Sequence, residues 1–77
     1  MKLKVNEAIA RAESRGKKIY KKELAAKIWP ESRPEAQLVN MSNLCSGQTK
    51  KVNPDWVATI CKECECSADY LFGLVEE

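Results

Sequence analysis

Histidine is absent from the 77 residues, which removes the side chain that most often serves as general base or neutral metal ligand near neutral pH. No carboxylate pair stands with a nucleophile in a catalytic arrangement either, so the chain reads as a non-enzyme. Long apolar runs are also missing: no stretch approaches the ~20 residues that a bilayer-crossing helix needs. Polar residues follow Met1-Lys2-Leu3-Lys4 where a signal peptide would have its apolar segment, and a cytoplasmic location with no membrane partner is expected. No segment alternates apolar and polar residues between turn signals, as strands require. Repeats and low-complexity tracts are absent as well. What remains is one small all-α domain over residues 1–77, near the size at which a core just outweighs chain entropy. Short helices in so small a chain leave little room for a concave pocket, so neither a cofactor nor a small-molecule substrate is expected.

The apolar share of 44% and charged share of 31% are those of an ordered globular chain, not a disordered tail. The net charge of +2 conceals an asymmetry: residues 1–30 hold nine Lys or Arg against three Glu, a balance of +6, residues 31–53 carry +1 and residues 54–77 carry −5. Such a dipole turns its basic end toward a polyanion.

Apolar residues recur at helical spacing in five places. Val5, Ala8, Ile9 and Ala12 predict a helix over residues 4–15, ended by Gly16. Leu24, Ala25 and Ile28 predict a second over 20–28, stopped by Pro30. Ser32-Arg33-Pro34-Glu35 has the form of a capping box opening a third helix that runs to Ser46. Asn53-Pro54-Asp55 supplies a cap, a proline at the first position and an acid at the positive end of a fourth, whose inner face is Val57, Ile60, Cys61 and Cys64. Ser67 with Asp69 opens a last short helix in which Ala68, Leu71 and Phe72 are expected to face inward before Gly73.

The third helix is the most informative. Leu38, Met41, Leu44 and Cys45 are expected to form its inner face, and Gln37, Asn40, Asn43 and Ser46 an opposite face of short uncharged polar groups. Exposed helix surfaces normally carry Lys and Glu. An amide and hydroxyl surface followed by Gly47 and the pair Lys50-Lys51 suits an element that enters a DNA groove, although a polar face that simply meets water is the common case.

These fragments, in this order, resemble the Cro and phage-repressor type of helix-turn-helix domain, the lambda-repressor-like or XRE family. Lys22-Glu23-Leu24-Ala25-Ala26-Lys27-Ile28 looks like its first motif helix, and Met41-Ser42-Asn43-Leu44 with Gly47 looks like the end of its recognition helix. Asn53-Pro54 with the Ile60 to Cys64 stripe, and Ser67-Ala68-Asp69-Tyr70-Leu71-Phe72-Gly73, are similar to its closing elements. The resemblance implies a compact five-helix helix-turn-helix domain, with a turn between helices two and three longer than the family's. Tyr20 also stands where the family has a Ser or Thr cap. It further implies a sequence-specific regulator of transcription, a repressor of phage or mobile-element type, bound to double-stranded DNA. By position, Arg33, Gln37, Val39, Asn40, Ser42 and Asn43 are the implied base-reading residues. Tyr20, Lys21, Gln48, Thr49, Lys50 and Lys51 are the implied phosphate contacts. Trp56, beside the core face of the fourth helix, is the candidate contact of a homodimer.

Two other classes compete. The same helices could hold a protein partner, as in an antitoxin-like component. Alternatively Cys45, Cys61, Cys64 and Cys66 could make a zinc or redox domain. Against metal stand the single C-x-x-C and the positions of the thiols on apolar stripes, where free cysteine packs as a small hydrophobe. Against redox chemistry stands the lack of a basic residue placed to stabilise a thiolate.

Overall fold

The computed structural model describes residues 2–75. They form α1 (Val5–Ser14), α2 (Lys21–Ile28), α3 (Pro34–Ser46), α4 (Pro54–Cys64) and α5 (Ala68–Leu71), with no strand among the described residues. No helix is long and apolar enough to cross a membrane.

The stripes of α1 and α2 are buried as their spacing promised, Val5, Ala8, Ile9 and Ala12 from the first and Leu24, Ala25 and Ile28 from the second, while α3 buries Met41, Leu44 and Cys45 and α4 buries Val57, Ile60 and Cys64. Burying a Leu or Ile side chain of this kind stabilises the fold by about 1.5–3 kcal/mol. Ala25 is completely buried, and its small size lets α2 lie close to α3, the most extensive helix pairing of the fold. The segment before α1 is part of the core: Leu3 is buried and the Lys4 N–H donates to the Leu71 carbonyl at 2.9 Å. Arg11 lies with its guanidinium 4.0 Å from the centre of the Tyr70 ring, a cation–π contact between α1 and α5. Lys27 of α2 donates to the Glu63 carboxylate of α4, an ion pair between those helices.

The α3 and α4 closures share one backbone pattern. After α3, Gly47 is left-handed, and its N–H and that of Gln48 converge on the Asn43 carbonyl. After α4 the left-handed residue is Glu65, and its N–H and that of Cys66 converge on the Cys61 carbonyl. Both are Schellman-type ends that satisfy otherwise orphaned carbonyls.

The starts of helices divide. Asn53 Oδ1 accepts the Asp55 N–H at 2.8 Å and Ser67 Oγ accepts the Tyr70 N–H at 3.1 Å, both as expected caps. The Ser32 capping box does not form. The cap position of α3 belongs to Arg33, which makes no side-chain cap bond, while the Ser32 N–H donates to the Trp29 carbonyl in the preceding turn. Proline favours extended backbone in the residue before it, and that residue is Arg33.

Three expected inward residues lie outside. Leu38 is 48% exposed because it sits on the flank of α3, well round from Met41 and Leu44, and Ala68 and Phe72 are exposed because the single turn of α5 has room to bury only Tyr70 and Leu71. Cys45 and Cys64 are buried, Cys61 and Cys66 are half-buried, and none of the four is in a disulfide.

Candidate nucleic-acid interface

The outward face of α3 is set by its 13 residues and about 100° of turn per residue. A series spaced by three residues falls back about 60° at each step, so Gln37, Asn40, Asn43 and Ser46 do not form one face. They sweep across half the circumference. Gln37 therefore starts on the core side, where its Nε2 donates to the carbonyls of Trp29 at 2.8 Å and Ser32 at 3.1 Å. It ties the lengthened α2–α3 turn to the helix, and its amide N–H groups are engaged there rather than presented as a base-reading surface. Asn40 is half-buried on the flank. Ser42, Asn43 and Ser46 are exposed, as are Val39 (58%) and Glu35. Glu35 is the one charged residue of α3 and stands in its first turn, where an acid favours the positive helix end.

Exposed positive groups lie on α2 and in the segments that lead into and out of α3. Lys21, in the first turn of α2, is exposed. Lys50 and Lys51 are exposed in the loop after α3, with Gln48 exposed and Thr49 half-buried beside them. Tyr20 is 52% exposed, stands at the cap position of α2 without a side-chain cap bond, and has the Lys18 ammonium 5.8 Å from its ring centre. Arg33 is exposed where the chain enters α3.

A cleft of about 430 Å³ opens between α3 and the starts of α1 and α2, walled by Lys2, Asn6, Lys21, Leu38, Ser42 and Ser46. Its floor includes Met41 and Cys45. The Cys45 thiol is pushed up from its ordinary value by burial, with Lys21 pulling it down and Glu7 raising it.

Lys2 and Asn6 line this cleft and are not among the residues that the sequence singles out. Lys2 arrives through tertiary packing. With Leu3 buried, Lys2 lies against Gly47, so close that a Cβ on that glycine would stand 3.0 Å from the Lys2 Cβ. The one local signal was Leu3 itself, an apolar residue between two lysines.

Trp56 meets Trp29 edge-on, with ring centres 5.4 Å apart, and both rings are half-buried against the core. The candidate dimer contact is thus partly engaged within its own molecule, sealing the junction between α4 and the long turn. Among the described residues no group of three or more Cys, Asp or Glu is arranged to hold a metal ion.

Compared with protein-family models, with curated proteins and with solved structures, the chain matches none.

Proposed function

We propose that this chain is a sequence-specific double-stranded DNA-binding protein of the helix-turn-helix kind, a transcriptional regulator that lays α3 in the major groove. The observation that carries the reading is the exposed, nearly uncharged surface of Val39, Ser42, Asn43 and Ser46, with Lys2 and Lys21 across the cleft beside it and Lys50 and Lys51 exposed in the loop that follows the helix. Such an arrangement divides labour as groove recognition requires. Flexible cations neutralise phosphates and fix register, while short side chains on a rigid helix meet base edges. Asn43 is suited to an adenine edge, Val39 to a thymine methyl, and Arg33 to a guanine or phosphate near the helix start. Glu35 on the same helix disfavours close phosphate approach there and suits the amino group of cytosine.

Selection of bound duplexes from a random pool tests this directly. An enriched motif is expected, and a palindromic one with half-sites about 34–36 Å apart corresponds to a homodimer. Binding to that motif weakens with salt, and Lys50→Ala lowers the log–log slope by about 0.9 if Lys50 neutralises one phosphate. Asn43→Ala costs about 1–3 kcal/mol on the selected site and little on random DNA. A pool that yields no enrichment, or equal losses on both duplexes, overturns the reading.

A second reading, a protein-interaction module, rests on a different observation. An apolar groove of about 600 Å³ lies between α4 and α5, lined by Val52, Pro54, Val57, Ala58 and Phe72 among others. Its lining shares no residue with the cleft beside α3.

A further inference from the structure

Two of the four thiols meet across the closure of α4. Cys61 is the residue whose carbonyl accepts both closing N–H groups, and Cys66 supplies one of them at 3.1 Å. In closures of this type the accepting residue and the residue after the left-handed position bring their side chains into contact. Here both are cysteines, and the Cys66 thiol is hydrogen-bonded to Cys61. Both are half-buried and reachable, whereas Cys64 between them is 1% exposed and Cys45 is buried in another helix. Cys61 also forms part of the wall of the α4–α5 groove, beside Val57, Ala58 and Ala68.

We propose that Cys61 and Cys66 form a thiol-modification site that reacts with a low-molecular-weight disulfide and closes into an intramolecular bond across the end of α4. In the first step the Cys61 thiolate attacks one sulfur of the reagent, the reagent's S–S bond breaks, and one thiolate departs and takes up a proton. Cys61 then carries a mixed disulfide. In the second step Cys66 loses its proton and attacks the Cys61 sulfur, releasing the second reagent thiol. Two protein thiols are oxidised and one small disulfide is reduced to two thiols.

The order of the steps follows from placement: Cys61 lines the open α4–α5 groove, whereas Cys66 does not, and its thiol is pushed up to about 12, first by burial and then by Cys61 and Cys64. The second attack is intramolecular, between two side chains already held together by the closure of α4. Closure by a bond in this position ties the last turn of α4 to the lead-in of α5 and takes the Cys61 thiol out of the groove.

The test uses the reduced full chain with oxidised glutathione as the probe, then acid quenching, unfolding and alkylation of the remaining thiols. Lys62, Glu63 and Glu65 separate the three clustered cysteines, so trypsin with a Glu-specific protease places each in its own peptide. Linked Cys61 and Cys66 peptides are expected as the dominant product, with Cys45 and Cys64 alkylated. Cys66→Ser should instead accumulate a persistent glutathione adduct on Cys61. The proposal is overturned by dominant Cys61–Cys64 linkage, by intermolecular bonds, by a lasting adduct on the unsubstituted chain, or by no reaction. The linkage map of the unsubstituted chain decides even if the variant fails to fold.

Discussion

Helices α3 and α4 both begin on a proline, and both close on a left-handed residue whose N–H joins that of the next residue at one carbonyl. They share an acid in the first turn, Glu35 and Asp55, and differ in how the rest is held. α4 has an Asn53 cap, a basic residue in its last turn and an ion pair to α2 through Glu63. α3 has no side-chain cap, a lone charged residue, a half-exposed Leu38 and an exposed Val39. The cap and the ion pair of α4 serve its own stability, and the outer surface of α3 holds no counterpart to either. A helix whose exposed side chains do little for its own stability is the one whose surface is free to be shaped by a partner.

The closures sharpen this contrast. At the end of α3 the left-handed position faces Lys2, and at the end of α4 the corresponding position is occupied by exposed Glu65. Gly47→Ala should therefore have the largest effect, destabilising by about 2 kcal/mol or more, since a left-handed Ala costs roughly 1–2 kcal/mol and its Cβ also crowds Lys2. Urea unfolding measures it. In a Lys2→Gly background the penalty should fall to about 1–2 kcal/mol, that of the backbone alone; an unchanged penalty would show that the 3.0 Å approach is relieved without cost.

Next comes the pair of helix starts. Asn53→Ala should lose about 1 kcal/mol through the broken cap, whereas Ser32→Ala should stay within about 0.5 kcal/mol because Ser32 caps nothing. Equal losses would erase the distinction between the two helices. Smaller still, Glu65→Gly should stabilise by about 0.5–1 kcal/mol by relieving the left-handed position. A loss would mean that the Glu65 side chain contributes more than its backbone costs.

The smallest expected effect is the pH dependence of the α2–α4 ion pair. The Glu63 carboxyl is held below its ordinary 4.5 by the hydrogen bond from Lys27, and the Lys27 ammonium is raised above its ordinary 10.5 by the same bond. A lowered acid contributes stability above its unfolded value and loses it as pH falls through the folded one. A raised base contributes below its unfolded value and loses it as pH rises through the folded one. The contribution is therefore flat between about 4.5 and 10.5 and fades on both sides, and Glu63→Gln should remove the acid limb of the difference in pH-dependent thermal melts.

What could be read from the sequence was what is local. The Asn53 and Ser67 caps depend on residues within three positions, and the Val57, Ile60 and Cys64 stripe depends on one periodicity; both are written in short strings. Gln37 was misplaced because three-residue spacing was taken for a single face, and the drift per step turned it toward the long turn. Ser32 looked like a cap, yet proline at the following helix start moved that position to Arg33. The Glu65 closure carries no glycine to announce it. Lys2 entered the candidate interface only because a segment far away in sequence folds beside Gly47.

The bond from the Lys4 N–H to the Leu71 carbonyl couples residues separated by nearly the whole described chain. During synthesis on the ribosome, the Lys4 N–H cannot meet this acceptor until the seventy-first residue has emerged, so this tie is among the last contacts to form. Loss of the closing helix would accordingly untie the segment that carries Lys2, one wall of a groove that the helix itself does not line.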